Sequence, residues 1–243
     1  PIVLKAAGAS WPGYAIGAVH TPPEFRKKGY ARTLLDFVEQ QQLAEGTQFG
    51  LLYSDIKPEY YGASGYRLCD SHYAWAVPRM GEQPIGGRFE RFLPDESTGE
   101  LAEMYVAAQS SRSVWIERDS VYWDWVRGRY PEHEWYWWVA DGAESPSGYI
   151  QLKPTDTETR VFDWGVVERE EERAFWETLL GWSAELGLAR IGGWLPNSEA
   201  IAGCFEVTPR AIEMTMLCPL TPSAPWDDAY ARDAAWFTEC DHI

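Results

Sequence analysis

Apolar positions along this chain follow two spacings, strand-like and helical, which alternate. Residues 1–7 begin with Ile2, Val3 and Leu4 and read as a short strand, and residues 8–13, rich in Gly and Pro, read as a turn. Residues 14–21 read as a strand stopped by Pro22-Pro23, because proline has no N–H to give a ladder. Between 30 and 44 the spacing becomes helical, with Leu34, Leu35, Val38 and Leu43 interleaved with Asp36, Glu39 and Gln40, and Gly46 placed to end the helix. Residues 49–54 read as a strand with a fully apolar centre, as in a parallel or doubly covered sheet. A short helix opens with Pro58 and ends at Gly65, and residues 66–77 return to strand.

A polar, glycine-rich stretch at 81–87 reads as a linker. It separates residues 1–80 from a second block at 88–220, with 221–243 as a C-terminal helix and tail. In the second block, 89–93 read as strand, 100–109 as a helix capped near Asp95 or Ser97, and 120–129 as a helix carrying Trp123 and Trp125. Strands follow at 135–140, 148–153 and 160–167. A helix at 170–186 places Phe175, Leu179, Leu180 and Trp182 on its buried side, then come a strand at 188–195, a short helix at 197–205 and a strand at 211–217. Residues 227–239 read as a last helix. The order strand, helix, strand, short helix, strand thus occurs twice, from residue 14 and from residue 160, which points to an internal duplication.

The 243 residues are 45% hydrophobic and 24% charged, enough for one large core or two small ones. Fourteen tryptophans predict a dense aromatic core or an aromatic pocket. Trp135-Tyr136-Trp137-Trp138 reads as core packing, with an aromatic cage for a cation as the alternative. No apolar run approaches the ~20 residues of a membrane span, and no leader-like segment precedes the first strand, so the expected location is cytoplasmic. Cys69, Cys204, Cys218 and Cys240 lack CxxC spacing and read as reduced thiols; with four histidines they offer no metal-ligand spacing. Residues 1–80 hold 8 Lys+Arg against 7 Asp+Glu, net +1, and the remainder holds 13 against 30, net −17. The first part suits an anionic ligand. The second disfavours nucleic acid and anionic membrane as partners and suits a cationic substrate, although acidic surface also serves solubility.

The densest chemistry lies between the strand at 14–21 and the helix at 30–44: Arg26-Lys27-Lys28-Gly29-Tyr30-Ala31. A helix N-terminus leaves backbone N–H groups unpaired at a positive dipole end, and three cations sit there, so a phosphate-bearing ligand is expected. The plain alternative is a basic surface turn. No Gly-Lys-Ser/Thr follows, which argues against a P-loop.

This hexapeptide resembles the Arg/Gln-x-x-Gly-x-Gly/Ala signature of the GNAT acetyltransferases. Tyr60-Tyr61-Gly62-Ala63-Ser64-Gly65-Tyr66 resembles that family's second signature, an aromatic-Tyr pair followed by Gly-aromatic. Residues 19–26 with Leu52-Tyr53-Ser54-Asp55-Ile56 are most similar in phrasing to the fungal lysine N-acetyltransferase-like branch. The resemblance covers about residues 13–78. Residues 85–220 resemble a second, degenerate GNAT-like domain whose junction, Val166-Val167-Glu168-Arg169-Glu170-Glu171-Glu172-Arg173, has no glycine and four glutamates that would repel phosphate. The plan is similar to that of the enhanced-intracellular-survival-type tandem acetyltransferases. The resemblance implies an α/β, mixed-sheet GNAT (acyl-CoA N-acyltransferase) fold in two GNAT-like domains. The first is expected to be incomplete: the family has three strands and two helices before its signature strand, whereas here about 13 residues precede it, in a chain that starts at Pro1 and reads as N-terminally truncated.

The same resemblance implies acetyl-CoA as substrate. Arg26, Lys27, Lys28, Gly29, Tyr30 and Ala31 would hold the pyrophosphate, and the strand edge at Ala18, Val19, His20 and Thr21 would pair with the pantetheine arm. Tyr61 takes the family's general-acid position, against the simpler reading of Tyr60 and Tyr61 as core aromatics. Glu24, Asp55, Glu59, a water relay and the C-terminal carboxylate of Ile243 are candidates for the base, and His20 is either a base or a structural strand-end histidine. The expected function is N-acetyl transfer to a primary amine by direct attack. The alternative is a non-catalytic acetyl-CoA-binding or scaffold module.

Overall fold

The computed structural model describes residues 1–79 and 84–242. β1 (Ile2–Ala6) and β2 (Ala9–Ile16) form a hairpin. α1 (Tyr30–Ala44), β3 (Phe49–Ser54), α2 (Glu59–Gly62), the two-residue β4 (Arg67–Leu68) and β5 (His72–Ala76) follow. The chain continues through β6 (Gly87–Phe92), α3 (Thr98–Gln109), β7 (Val114–Glu117), α4 (Ser120–Arg129), β8 (Glu134–Ala140), β9 (Gly148–Pro154) and β10 (Thr159–Val166). It ends with α5 (Glu172–Glu185), β11 (Ile191–Trp194), α6 (Glu199–Ala202), β12 (Glu206–Pro209), β13 (Met214–Pro219) and α7 (Asp228–Asp233). No described helix is long and apolar enough to cross a membrane.

The elements build two mixed sheets, in the orders β4-β13-β3-β2-β1-β7 and β12-β5-β11-β10-β9-β8-β6. Each sheet has a parallel pair with a helix between its strands: β2–α1–β3 in the first and β10–α5–β11 in the second. The internal repeat read from the sequence is therefore present as structure. The repeats also trade strands. β5, which ends the first repeat, pairs antiparallel with β11 of the second; β13, which ends the second, pairs antiparallel with β3 of the first. β7 likewise crosses over to β1. Hydrogen bonding thus cuts across the expected division at residue 80; of the expected linker at 81–87, residues 81–83 lie outside the described residues.

Several local expectations shift. The expected turn at 8–13 is mostly strand, because Pro12 sits where β2 still pairs only with β1; parallel pairing with β3 starts at Gly13, where an N–H is again present. The expected strand at 14–21 ends at Ile16. β7 and β12, each four residues long, carry too few positions for a periodic signal. The expected helix at 227–239 is α7 followed by two 3₁₀ turns. α1 has the expected bounds, but none of its residues is fully buried, and Leu34 and Phe37 are 59% and 58% exposed.

The two sheets meet at Arg118, just beyond β7. Its guanidinium is fully buried and bonds Asp163 of β10 at 2.6 Å and Asp241 of the C-terminal tail at 2.9 Å. Further donors complete the cluster. Asp163 accepts from Tyr149 Oη at 3.0 Å and Thr238 Oγ1 at 2.8 Å, and Asp241 accepts from Tyr122 Oη at 2.9 Å. The ring of Tyr105 lies 4.1 Å from the guanidinium carbon. Removing one member of such a cluster leaves uncompensated buried charge. Arg118→Met should lower unfolding free energy by about 3–5 kcal/mol, read from urea denaturation midpoints, because it strands two carboxylates.

Glu239, in the same tail, pairs with Arg160 at 2.9 Å, yet burial outweighs the pair and lifts its carboxyl from 4.5 to about 7. The folded state then binds more protons than the unfolded chain between those two values, so this group makes stability fall as pH rises through that window. Glu239→Gln should flatten that slope, raising Tm relative to the parent at pH 8 more than at pH 5 in buffered thermal melts.

Candidate active site

The cleft begins where two parallel strands part. β2 and β3 pair from Gly13–Phe49 to Ile16–Leu52; beyond that, β2 ends while β3 continues to Ser54, held on its other side by β13. Ala18 turns the departing chain with a left-handed φ of 53°. The gap is a cleft of about 630 Å³. It is lined by Ala18, Val19, His20 and Thr21 from the departing segment; by Arg26, Lys27, Gly29, Tyr30 and Ala31 at the start of α1; and by Tyr53, Asp55 and Tyr61 opposite.

The bend at the start of α1 has an identifiable cause. Pro23–Phe25 makes a 3₁₀ turn, after which Lys27 and Gly29 take left-handed φ values of 60° and 84°. Left-handed residues next to a helix start direct successive N–H groups into one concavity. Among the described residues, the amides of Lys27, Lys28, Gly29, Tyr30 and Ala31 donate to no backbone carbonyl and no side chain. Arg26 is oriented by its Nε, which donates to the Thr21 carbonyl at 2.9 Å and ties the bend to the departing segment. A pyrophosphate is the size and charge that such a row of free amides accepts.

On the opposite wall, Tyr61 is buried in α2 among Leu52, Tyr66, Met216 and Cys218. Burial, with smaller effects from Tyr60 and Asp55, raises its phenol above the usual range, so it stays protonated through neutral pH. Asp55 is exposed at the end of β3, where its Oδ1 accepts the Glu213 N–H at 3.1 Å. Glu24 and Glu59 do not line the cleft. Ile243 lies outside the described residues. Its neighbour His242 packs its ring at 5.1 Å from Tyr53 and 5.3 Å from Trp194, which brings the tail against the cleft wall. Burial lowers the His242 imidazole pKa.

Two parts of the expected picture change. Ala18, Val19, His20 and Thr21 lie beyond the end of β2, so they are not a strand edge; whatever pairs with them meets irregular backbone. Tyr53, which forms both the cleft wall and the contact with the tail, was not singled out from the sequence. The only signal for it was its alternate position on β3.

In the second repeat the gap beside β10 retains about 20 Å³ between Trp164, Trp236 and Glu172, while Arg169, Glu170, Glu172 and Arg173 at the start of α5 line a separate cavity of about 310 Å³ with Ser198 and Glu199. The carboxylate of Glu172 is itself buried and accepts from Ser198 Oγ at 2.7 Å, joining the starts of α5 and α6. The start of α5 is thus lined by carboxylates, which disfavour an anion there.

Residues 1–69 match the family model described as the acetyltransferase (GNAT) domain. No curated protein matches this sequence closely. Solved structures do. A probable N-acyltransferase from Enterococcus faecalis V583 superposes with a TM-score of 0.70 at 14% identity, over 89% of this chain and 57% of its own. A GCN5-related N-acetyltransferase from Anabaena variabilis gives 0.64 at 18%, over 91% and 58%. Saccharomyces cerevisiae N-myristoyltransferase with bound myristoyl-CoA gives 0.60 at 7%, over 90% and 62%. The chain spans somewhat more than half the length of these structures, and at such identities the likeness shows the fold: a mixed α/β fold of two GNAT-like units.

Because no atom lies within 4 Å of a Cβ built on Gly29, substitution there strains backbone without a clash. Gly29→Ala should cost about 1–2 kcal/mol in denaturant melts, the usual cost of a left-handed φ in an L-residue.

Proposed function

We propose that the first repeat is an acyl-CoA-dependent N-acetyltransferase site, using acetyl-CoA and transferring acetyl to a primary amine by direct attack. One observation carries the reading: a basic helix start with unspent amides, of which Lys27, Gly29, Tyr30 and Ala31 line the cleft, shares that cleft with a buried, protonated tyrosine. The family match over residues 1–69 supports it independently.

In this reading the bend from Arg26 to Ala31 binds the pyrophosphate, and the pantetheine arm runs along residues 18–21 toward the parting of β2 and β3. The amine nitrogen attacks the thioester carbonyl and forms the C–N bond, backbone N–H groups at the parting hold the tetrahedral oxyanion, and its collapse breaks the C–S bond and leaves the amide. Tyr61 supplies a proton to the departing thiolate, for which a phenol kept protonated by burial is suited. The amine's proton goes to Asp55 or to water. The acidic balance of residues 81–243 supports a cationic acceptor, and the location expected for such a protein is the cytoplasm. The second repeat, whose helix start is lined by glutamates, serves as scaffold for the first by lending it β13.

Tyr61→Phe should leave the acetyl-CoA dissociation constant unchanged while lowering the turnover number by about 10²–10⁴-fold. Calorimetry and a thiol-release assay over a panel of amines read the two quantities. Acetyl-CoA binding without thiol release for any amine would favour a binding module instead.

A further inference from the structure

We propose that Asp55 takes the proton of the acceptor amine, and that Tyr73 on β5 and Glu213 just before β13 are the residues that position it. The proposal rests on the reading of the cleft as an acyltransferase site and names the base within it. It makes the two exchanged strands part of the site.

Asp55 stands one position past the last pair of the β3–β13 ladder, Ser54 with Met214. The turn that carries it is closed by Ser54, a buried residue whose Oγ donates to the Ile56 carbonyl at 2.8 Å and accepts the Ile56 N–H at 3.3 Å. Asp55 lines the cleft, and its charge acts on Tyr61 and on His242 of the tail. Its Oδ1 accepts the Glu213 N–H at 3.1 Å. Among the described residues this carboxylate forms no salt bridge and accepts no other hydrogen bond, so Oδ2 keeps its lone pairs free.

The Glu213 N–H is held in place at a conformational cost. Glu213 takes a left-handed φ of 53°, a region that side chains larger than asparagine or aspartate seldom enter. A second bond holds it there: Tyr73 Oη donates to Glu213 Oε2 at 2.8 Å. Burial and this bond lift the Tyr73 phenol to about 12, so the donor persists through neutral pH. Tyr73 is itself fixed between two strands, opposite Trp194 of β11 on one side and Thr208 of β12 on the other. Backbone strain of this kind survives where the surroundings over-determine it, and it clusters at active sites.

A carboxylate pinned by one oxygen presents the other without a rotamer search. The ammonium of the acceptor gives one proton to Oδ2, and its nitrogen keeps the electron pair with which it attacks the thioester. The nitrogen loses a second proton as the tetrahedral adduct collapses, and that proton replaces the one Tyr61 gives to the thiolate. Asp55 then releases its proton to solvent, so each turnover yields amide, free thiol and one proton.

Thiol release from acetyl-CoA, measured against pH with lysine, spermidine and butylamine as acceptors, tests this. Asp55→Asn should lower kcat/KM for the amine about 10²–10⁴-fold at neutral pH. Its log kcat/KM should climb about one unit per pH unit where the parent's is level, because the amine must then arrive already deprotonated. Tyr73→Phe should lower the same constant about tenfold, the worth of one hydrogen bond to a charged group, and steepen the profile with KM for acetyl-CoA unchanged. That loss should vanish in a Glu213→Gly background, where glycine holds the left-handed φ unaided. Glu213→Gly should also recover the rate that Glu213→Val loses, since a β-branched residue is barred from this φ. Thermal melts establish that each variant is folded; should Glu213→Val fail, Tyr73→Phe in the two backgrounds decides alone. A level profile in Asp55→Asn, or equal effects of Tyr73→Phe in both backgrounds, would overturn the proposal and leave the acyltransferase reading intact. A parent that releases no thiol with any of these amines overturns both.

Discussion

One buried guanidinium ties the two sheets and the C-terminal tail to a common point. Arg118 extends from the end of a first-sheet strand, is enclosed by aromatic rings, and meets one carboxylate from the second sheet and one from the C-terminal tail. Taking three charges out of water is expensive, and the expense is offset only because hydroxyls of Tyr122, Tyr149 and Thr238 complete the hydrogen bonding. The geometry is demanding, so it fixes register: sheet, sheet and tail have one mutual arrangement that satisfies it. The tail held in this way is what brings His242 against Tyr53 at the wall of the cleft.

The two repeats share a plan and differ in how they end it. In the first, glycine and lysine take left-handed backbone and leave a row of amides open. In the second, a run of glutamates takes the equivalent place, and one of them, Glu172, is folded inward to bond Ser198. The first helix start faces a cleft of about 630 Å³ lined by cations, and the second a cavity of about 310 Å³ lined by glutamates. The second copy also contributes to the first, since its last strand pairs with β3 beside the cleft.

What could be read from the sequence was local. The bounds of α1 and β3, the Gly29 bend and the placement of Tyr61 all follow from residues within a turn or two of one another: a proline pair, a glycine among cations, a helical apolar spacing. The strand exchange was not legible, because the alternation in residues 214–219 says that they form a strand but not which edge they join. The Arg118 cluster was invisible for the same reason: its members are separated by 45 and 123 residues. Ala18 misled in a different way. Its neighbours have good strand propensity, yet the backbone leaves the sheet there because the parting of two strands is a tertiary event.

The exchange of β5 and β13 also sets an order of events for a chain made from its N-terminus. Until residue 219 has left the ribosome, β3 has no neighbour on one side, and its unpaired N–H and C=O groups form a raw edge beside a half-built cleft. Closing it joins segments about 160 residues apart, the kind of long-range pairing that slows folding. The open site is therefore among the last parts of the molecule to become whole, and a nascent chain halted before β13 would present an adhesive strand to whatever protein lay nearest.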